Sequence, residues 1–472
     1  MKSDISPNMK DNFNIFNERM HVNENFDIIS RVITIGNRAC CLYVIDGLNK
    51  DEILEKILEF FYRIPEKDMP DNAWDFSQLL IPYGEVDLYT DIDETITMLL
   101  SGVPILLVDG YLQALAIDFR TYPARGVEEP EKDKVLRGSK DGFVETIVFN
   151  TALIRRRIRH PDLMMEITSV GDSSHTDIVL SYMKGRADEK FLRKIRDRLN
   201  RIRVDALTMN TESLAECLFD NRWWNPFPKF KYTERPDTAA AAILEGSIII
   251  LIDNSPSAMV LPSTLFEITE EADDYYFPPL TGTYLRLSRL LINLVALFFT
   301  PLWLLLMHHS EWVPGGLAFI QITEPVNVPL VIQLLILEFA IDGLKLASMN
   351  TPSMLSTPLS VVAGIVLGDF TVSSGWFNSE TMLYMAFVAI ANYSQASYEL
   401  GYALKFLRML MLILTGLFDL WGLAAGVVIT LLALLCNRTL SGQSYLYPLI
   451  PFRGRELMRR FLRIPLPKTR SR

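Results

Sequence analysis

The run LLINLVALFFTPLWLLLM, residues 290–307, decides the architecture of this chain. Its eighteen residues carry no charge, the length at which an α-helix crosses the roughly 30 Å hydrocarbon core of a bilayer. Pro301 predicts a kink that neighbouring helices can accommodate. Around this run the 472 residues divide by charge. Residues 1–286 carry 33 of the 46 Lys+Arg and 47 of the 56 Asp+Glu, a net charge of −14 and the composition of a soluble segment. Residues 287–436 hold four basic side chains, Arg289, Lys345, Lys405 and Arg408, against eight acids. The last 36 residues reverse the sign, with nine Lys/Arg and one acid, Glu456.

Five further apolar segments follow the first: 329–348 with three charges, 355–372, 381–397, 401–418 and 420–436. With the N-terminus inside, the loops 307–328, 373–380 and 418–420 lie outside, and none holds a Lys or Arg. The four basic residues and the basic tail then fall at cytoplasmic ends, as the positive-inside rule requires. The opening MKSDISPNMKDNFNIF lacks the order of a cleaved secretory signal, so the soluble part is expected in the cytoplasm. Gly364 and Gly368, and Gly422 and Gly426, form two GxxxG spacings that either bring helices close or arise by chance. The tail RGRELMRRFLRIPLPK, residues 453–468, interleaves Arg with apolar residues. It reads as an element on anionic lipid, about 1 kcal/mol per basic residue, or as a plain topology signal.

In the soluble part, ACCLYVIDGLNKDEILEKILEFF (39–61) and DIVLSYMKGRADEKFLRKIRDRL (177–199) share an order: apolar strand, Gly turn, acid-led amphipathic helix. Each is followed by a second apolar strand region, at 104–119 and 247–261. The expected fold class is α+β/α: two cytoplasmic α/β subdomains followed by an α-helical transmembrane bundle of about six spans, or four plus re-entrant segments. The boundaries are a flexible N-terminus 1–26, subdomains 27–120 and 138–262 joined by a linker 121–137, a juxtamembrane segment 263–286, the membrane domain 287–436 and the basic tail 437–472. Chance likeness of two common strand-turn-helix units is the alternative to duplication.

No GxSxG, P-loop, HExxH or GxGxxG is present, so no enzyme, catalytic residue or cofactor is expected. Cys40, Cys41, Cys217 and Cys436 lack metal-ligand spacing and read as buried small residues. The adjacent His308 and His309 diverge by about 100° on a helix, which makes a polar helix end a better reading than a metal site. Arg155, Arg156, Arg157 and Arg159 read as a solvated face or a subunit contact rather than a phosphate site. The acidic soluble half argues against nucleic acid. Glu338, Asp342 and Lys345 lie at i, i+4 and i+7, within about 40° of one helical face. A mid-membrane carboxylate facing lipid costs about 2.5–3.5 kcal/mol. Glu338 and Asp342 are therefore pore-lining candidates, with helix packing inside one subunit as the rival reading.

The blocks GSKDGFVETIVFNTALIRRRIRHPDL (138–163), WNPFPKFKYTERPD (224–237) and IDNSPS (252–257) resemble the GerA family of spore germination proteins. The resemblance extends from about Phe26 onward. Within the family, RTYPARGVEEP (120–130) and the short basic C-terminus resemble a sporulation branch more than the nutrient-receptor A subunits. The resemblance implies a protein of the spore inner membrane that assembles as a homo-oligomer, a pentameric ring, together with other spore germination membrane proteins. It further implies a channel subunit releasing monovalent cations during germination. The alternative is a non-conducting scaffold or nutrient-receptor A-type subunit supporting another channel. No residue role is carried over.

Overall fold

The computed structural model describes residues 4–122, 135–219, 225–350, 364 and 371–464. It forms two units, Met1–Asn221 with Phe230–Pro262, and Arg222–Lys229 with Ser263–Arg472.

The first unit runs through one nine-element order twice. The first pass is α1 (Met9–Arg19), β1 (Ile28–Ile35), β2 (Arg38–Ile45), α2 (Asp51–Tyr62), α3 (Ala73–Leu79), β3 (Glu85–Tyr89), α4 (Ile92–Leu100), β4 (Ile105–Val108) and β5 (Ala114–Asp118). The second pass is α5 (Ile147–Arg157), β6 (Leu163–Val170), β7 (Thr176–Met183), α6 (Glu189–Arg201), α7 (Thr211–Leu218), β8 (Lys231–Thr233), α8 (Pro236–Glu245), β9 (Ile248–Ile252) and β10 (Ala258–Leu261). Each pass makes one five-stranded antiparallel sheet, ordered β1-β2-β4-β5-β3 and β6-β7-β9-β10-β8. The likeness reaches single hydrogen bonds. Asn12 clasps both backbone groups of Ser6, at 2.7 and 2.9 Å, and Asn150 clasps Val144 in the same way at 2.6 and 2.8 Å. Asp109 accepts from the Met9 N–H at the start of α1 (3.0 Å), as Asp253 does from Ile147 at the start of α5 (3.2 Å).

The unbroken apolar run of β2 follows from burial on both faces. Cys41, Tyr43 and Ile45 point to one core with Phe16 of α1 and Ile96 and Leu99 of α4. Cys40, Leu42 and Val44 point to another with Ile57 and Phe61 of α2 and Phe76 of α3. A strand buried on both faces loses the alternation of a half-exposed one. Local signals set the helix ends. Asp91 and Asp188 accept N-cap bonds from Glu94 and Lys190, while α8 starts with Pro236 and stops at Gly246 in the left-handed region (φ 101°).

Several boundaries move. Residues 4–26, expected to be flexible, carry α1, whose Phe16 is fully buried and stacks on Tyr43 with ring centroids 5.5 Å apart. This helix opens the first repeat, as α5 opens the second. Arg222–Lys229 belongs with the second unit rather than with the second subdomain. Most of the expected linker, 123–134, lies outside the described residues. Arg155, expected on a solvated face or at a subunit contact, is fully buried. It grips Asp27 by Nε to Oδ2 at 2.8 Å and Nη2 to Oδ1 at 3.0 Å, and donates to the Leu163 carbonyl at 3.1 Å. That pair ties the residue just before β1 of one repeat to the helix that opens the other. Cys40 and Cys41 are buried as expected of small apolar residues, whereas Cys217 is half-buried and Cys436 exposed.

The second unit is helical. Among the described residues two helices are long and apolar enough to cross a membrane, Pro279–His308 and Tyr398–Leu435; six spans are not reproduced. Leu330–Asn350 carries too much charge to count on those terms, and Ser379–Tyr393 has 15 residues, about 22 Å of helix against a core of about 30 Å. The expected segment 355–372 falls almost wholly outside the described residues. Tyr398–Leu435 is broken at Asp419, whose φ of 50° and ψ of −129° leave the helical region. Its two arms fold back on each other: a Cβ on Gly422 would overlap the Leu414 carbonyl, and one on Gly426 would press into Met411. The spacing Gly422/Gly426 thus closes a helical hairpin. Of the other pair, Gly368 is not among the described residues, and of its surroundings only Gly364 is.

Candidate functional site

Five charges of the apolar unit meet between helix Leu330–Asn350 and the first arm of the hairpin. Glu338 and Asp342 are one turn apart on the former; Lys405 and Arg408 are one turn apart on the latter, running the opposite way. Burying either pair alone would leave charges without water, so the two faces satisfy each other. Arg408 is fully buried and donates from Nε to Glu338 Oε1 at 2.7 Å and from Nη2 to Oε2 at 3.0 Å. Its Nη1 donates to the Ala296 carbonyl on helix Pro279–His308, so one guanidinium joins three helices. Lys405 Nζ donates to the Glu338 carbonyl at 3.0 Å and lies 3.3 Å from Glu338 Oε2 and 2.5 Å from Asp342 Oδ2.

These contacts revise the sequence reading at two places. Lys405 and Arg408, expected at a cytoplasmic helix end, are buried inside the bundle and paired there. Glu338 is 1% exposed and its carboxylate is taken up by Arg408 and Lys405 of the same chain, whereas the Asp342 side chain keeps 32% of its surface open. The third member of the stripe, Lys345, pairs with neither acid. Its ammonium lies over the rings of Tyr398 and Tyr402, 4.8 and 4.4 Å from their centroids. The partnership of Glu338 with Arg408 had a usable signal. Opposite charges in two largely apolar segments, acids in one and Lys405 with Arg408 in the other, are expected to find each other.

Two smaller clusters complete the unit. His308 Nδ1 sits 2.5 Å from Asp419 Oδ1 at the turn of the hairpin, while His309 stacks on Trp312 with centroids 4.2 Å apart. No group of three His, Cys, Asp or Glu among the described residues is arranged to hold a metal ion. At the start of helix Pro279–His308, Arg286 and Arg289 close on the buried Asp274. Arg460, in the tail helix Gly454–Phe461, pairs with Glu267 and Glu270. At least this tail arginine is committed to protein carboxylates; Phe452 and Met458 nearby are exposed.

The family model described as Bacillus/Clostridium GerA spore germination protein matches residues 14–472. The chain is 35% identical over 458 residues to stage V sporulation protein AF of Bacillus subtilis (strain 168), covering 97% of this chain and 92% of that one. It is 26% identical over 471 residues to spore germination protein KA of the same organism, covering 98% and 85%. The crystal structure of the N-terminal domain of the A subunit of the Bacillus megaterium spore germinant receptor GerK3 aligns with 56% of this chain and 98% of its own, at 26% identity and a TM-score of 0.43. With one family model spanning nearly every residue and a 35% identical relative matched along its length, this chain belongs to the GerA family of spore germination proteins.

Proposed function

We propose that this chain is a multi-pass subunit of the spore inner membrane that assembles with copies of itself, as a pentamer, into a pore releasing monovalent cations during germination. The observation that carries the reading is the ionic cluster in the bundle. Charges inside an apolar helical unit cost several kcal/mol before pairing, and their usual reason is a path for ions or protons. Asp342, the open carboxylate of the cluster, is the group a permeating cation meets. Glu338 is then a positioning residue that holds helix Leu330–Asn350 to the hairpin through Arg408. Exposed Phe339, Leu346 and Met349 give this helix apolar surface for lipid or for a neighbouring copy. Each arm of the hairpin crosses separately, both termini lie on the spore core side, and the exposed face of the tail rests on anionic lipid. Other germination membrane proteins are the expected partners.

A second reading has its own support. Glu338 is neutralised inside one protomer, which is all that a non-conducting scaffold or nutrient-receptor A-type subunit would need. The two separate in reconstituted bilayers. Asp342→Asn should reduce cation preference with assembly unchanged, while Glu338→Gln should loosen the bundle first. A scaffold conducts in neither form.

A further inference from the structure

We propose that the pocket beside the ionic cluster binds a phosphate-class anion, presented as an anionic phospholipid headgroup or as free phosphate, with Lys345 as its principal cation. The pocket is lined by Ile341, Asp342, Lys345, Asn392, Tyr393 and Tyr402 among others. Three cations and two carboxylates share this region of the fold. Arg408 takes Glu338 and Lys405 takes Asp342, so one positive charge is left over. That charge is on Lys345, which has no carboxylate partner among the described residues. The two tyrosine rings beneath it contribute a cation–π attraction of about 0.5–2 kcal/mol but bring no countercharge.

The remaining polar groups fit the same ligand. Tyr393 and Tyr402 line the pocket, and a tyrosine hydroxyl can donate to an anionic oxygen. The Asn392 Oδ1 is buried without a partner, an acceptor matched by a headgroup hydroxyl or a protonated phosphate oxygen. The lining holds two ammonium groups, Lys345 and Lys405, against one carboxylate, Asp342, a balance that favours an anion. Lys345 has tyrosines around it, the composition of a membrane–water boundary. A singly charged anion seated there would bring the charge of the cluster and its ligand to zero. The inference does not rest on ion conduction, because it is read by binding.

The test uses the full-length protein in neutral detergent, titrated with inorganic phosphate against chloride at constant ionic strength. In a parallel arm the protein is placed in phosphatidylcholine bilayers with or without phosphatidylglycerol, and thermal stability is followed in both. A rise in melting temperature with phosphate assigns the free anion, and a rise only with phosphatidylglycerol assigns the headgroup; either supports the site. Lys345→Gln should weaken the anion response about tenfold or more, as expected for losing charge-assisted hydrogen bonds. Lys345→Arg should retain it. Asp342→Asn, which frees Lys405 and raises the local positive charge, should strengthen it. The proposal is overturned if neither anion stabilises the wild-type protein, if Lys345→Gln responds like wild type, or if Asp342→Asn binds more weakly.

Discussion

The carboxylate of Glu338 and the guanidinium of Arg408, 70 residues apart in sequence, form a two-point ion pair with neither side chain more than 1% exposed. Removing one partner of such a pair strands the other charge, at a cost of about 3–5 kcal/mol. Glu338→Gln should therefore lower the thermal midpoint of the detergent-solubilised protein markedly. The double variant Glu338→Leu, Arg408→Met, which leaves no stranded charge in the pair, should regain a large part of that loss. Equal destabilisation by the single and double variants would argue against a pairwise lock.

The N-terminal helix makes a separate prediction. Phe16 is fully buried against Tyr43 in the first sheet's core, so Phe16→Ala should cost about 3–5 kcal/mol. Urea unfolding of the N-terminal α/β unit would measure it. A fragment starting at residue 27 should lose stability in the same direction, because it lacks the opening helix of the repeat.

Much of this organisation was legible where physics leaves a local trace. The charge partition separated the helical unit, and β2 with α2 and β7 with α6 stood out because strands buried on both faces read as continuous apolar runs. Helix α1 did not, since MKDNFNIFNER mixes polar and apolar residues and only Phe16 and its contacts, far away in sequence, reveal its buried side. The edge strands β3 and β8 are short and half exposed, which erases their pattern. In the helical unit the stripe Glu338, Asp342, Lys345 was readable from spacing alone. Which cation answers each acid depended on the packing of the hairpin, and single-segment periodicity carries no such information. Arg155 was misread for the same reason: three neighbouring arginines suggested a wet face, and its partner Asp27 lies 128 residues away.

Burial pushes the Cys40 thiol up to about 12 and the Cys41 thiol up to about 11. Both should resist a thiol reagent at pH 8 in the folded protein and react on unfolding. In the unfolded chain a thiol ionises near 8.5, so the raised folded values favour the native state below that pH. This contribution should fade as pH rises from about 8.5 toward the folded values, and Cys40→Ala should remove part of the alkaline loss. Rapid labelling of both thiols in the native protein would contradict their placement.

Topology is open to direct labelling. Gly316 is exposed with open space around it, whereas Gly375 has a positive φ of 73° and a Cβ there would crowd Asn327. Gly316→Cys and Ser374→Cys should therefore be labelled by an impermeant thiol reagent from outside. Ser441→Cys should be labelled only after permeabilisation. Labelling of Ser441→Cys in intact cells would place the tail outside and end the inside-tail arrangement.

Electrical recording from the purified, assembled protein in planar bilayers tests whether copies of this chain enclose a path for cations. Under a gradient of potassium chloride, discrete conductance steps are expected, with a reversal potential toward that of the cation. The preference should diminish in Asp342→Asn. Electrical silence from an oligomer shown to be intact, or a reversal potential indifferent to Asp342, would contradict such a path.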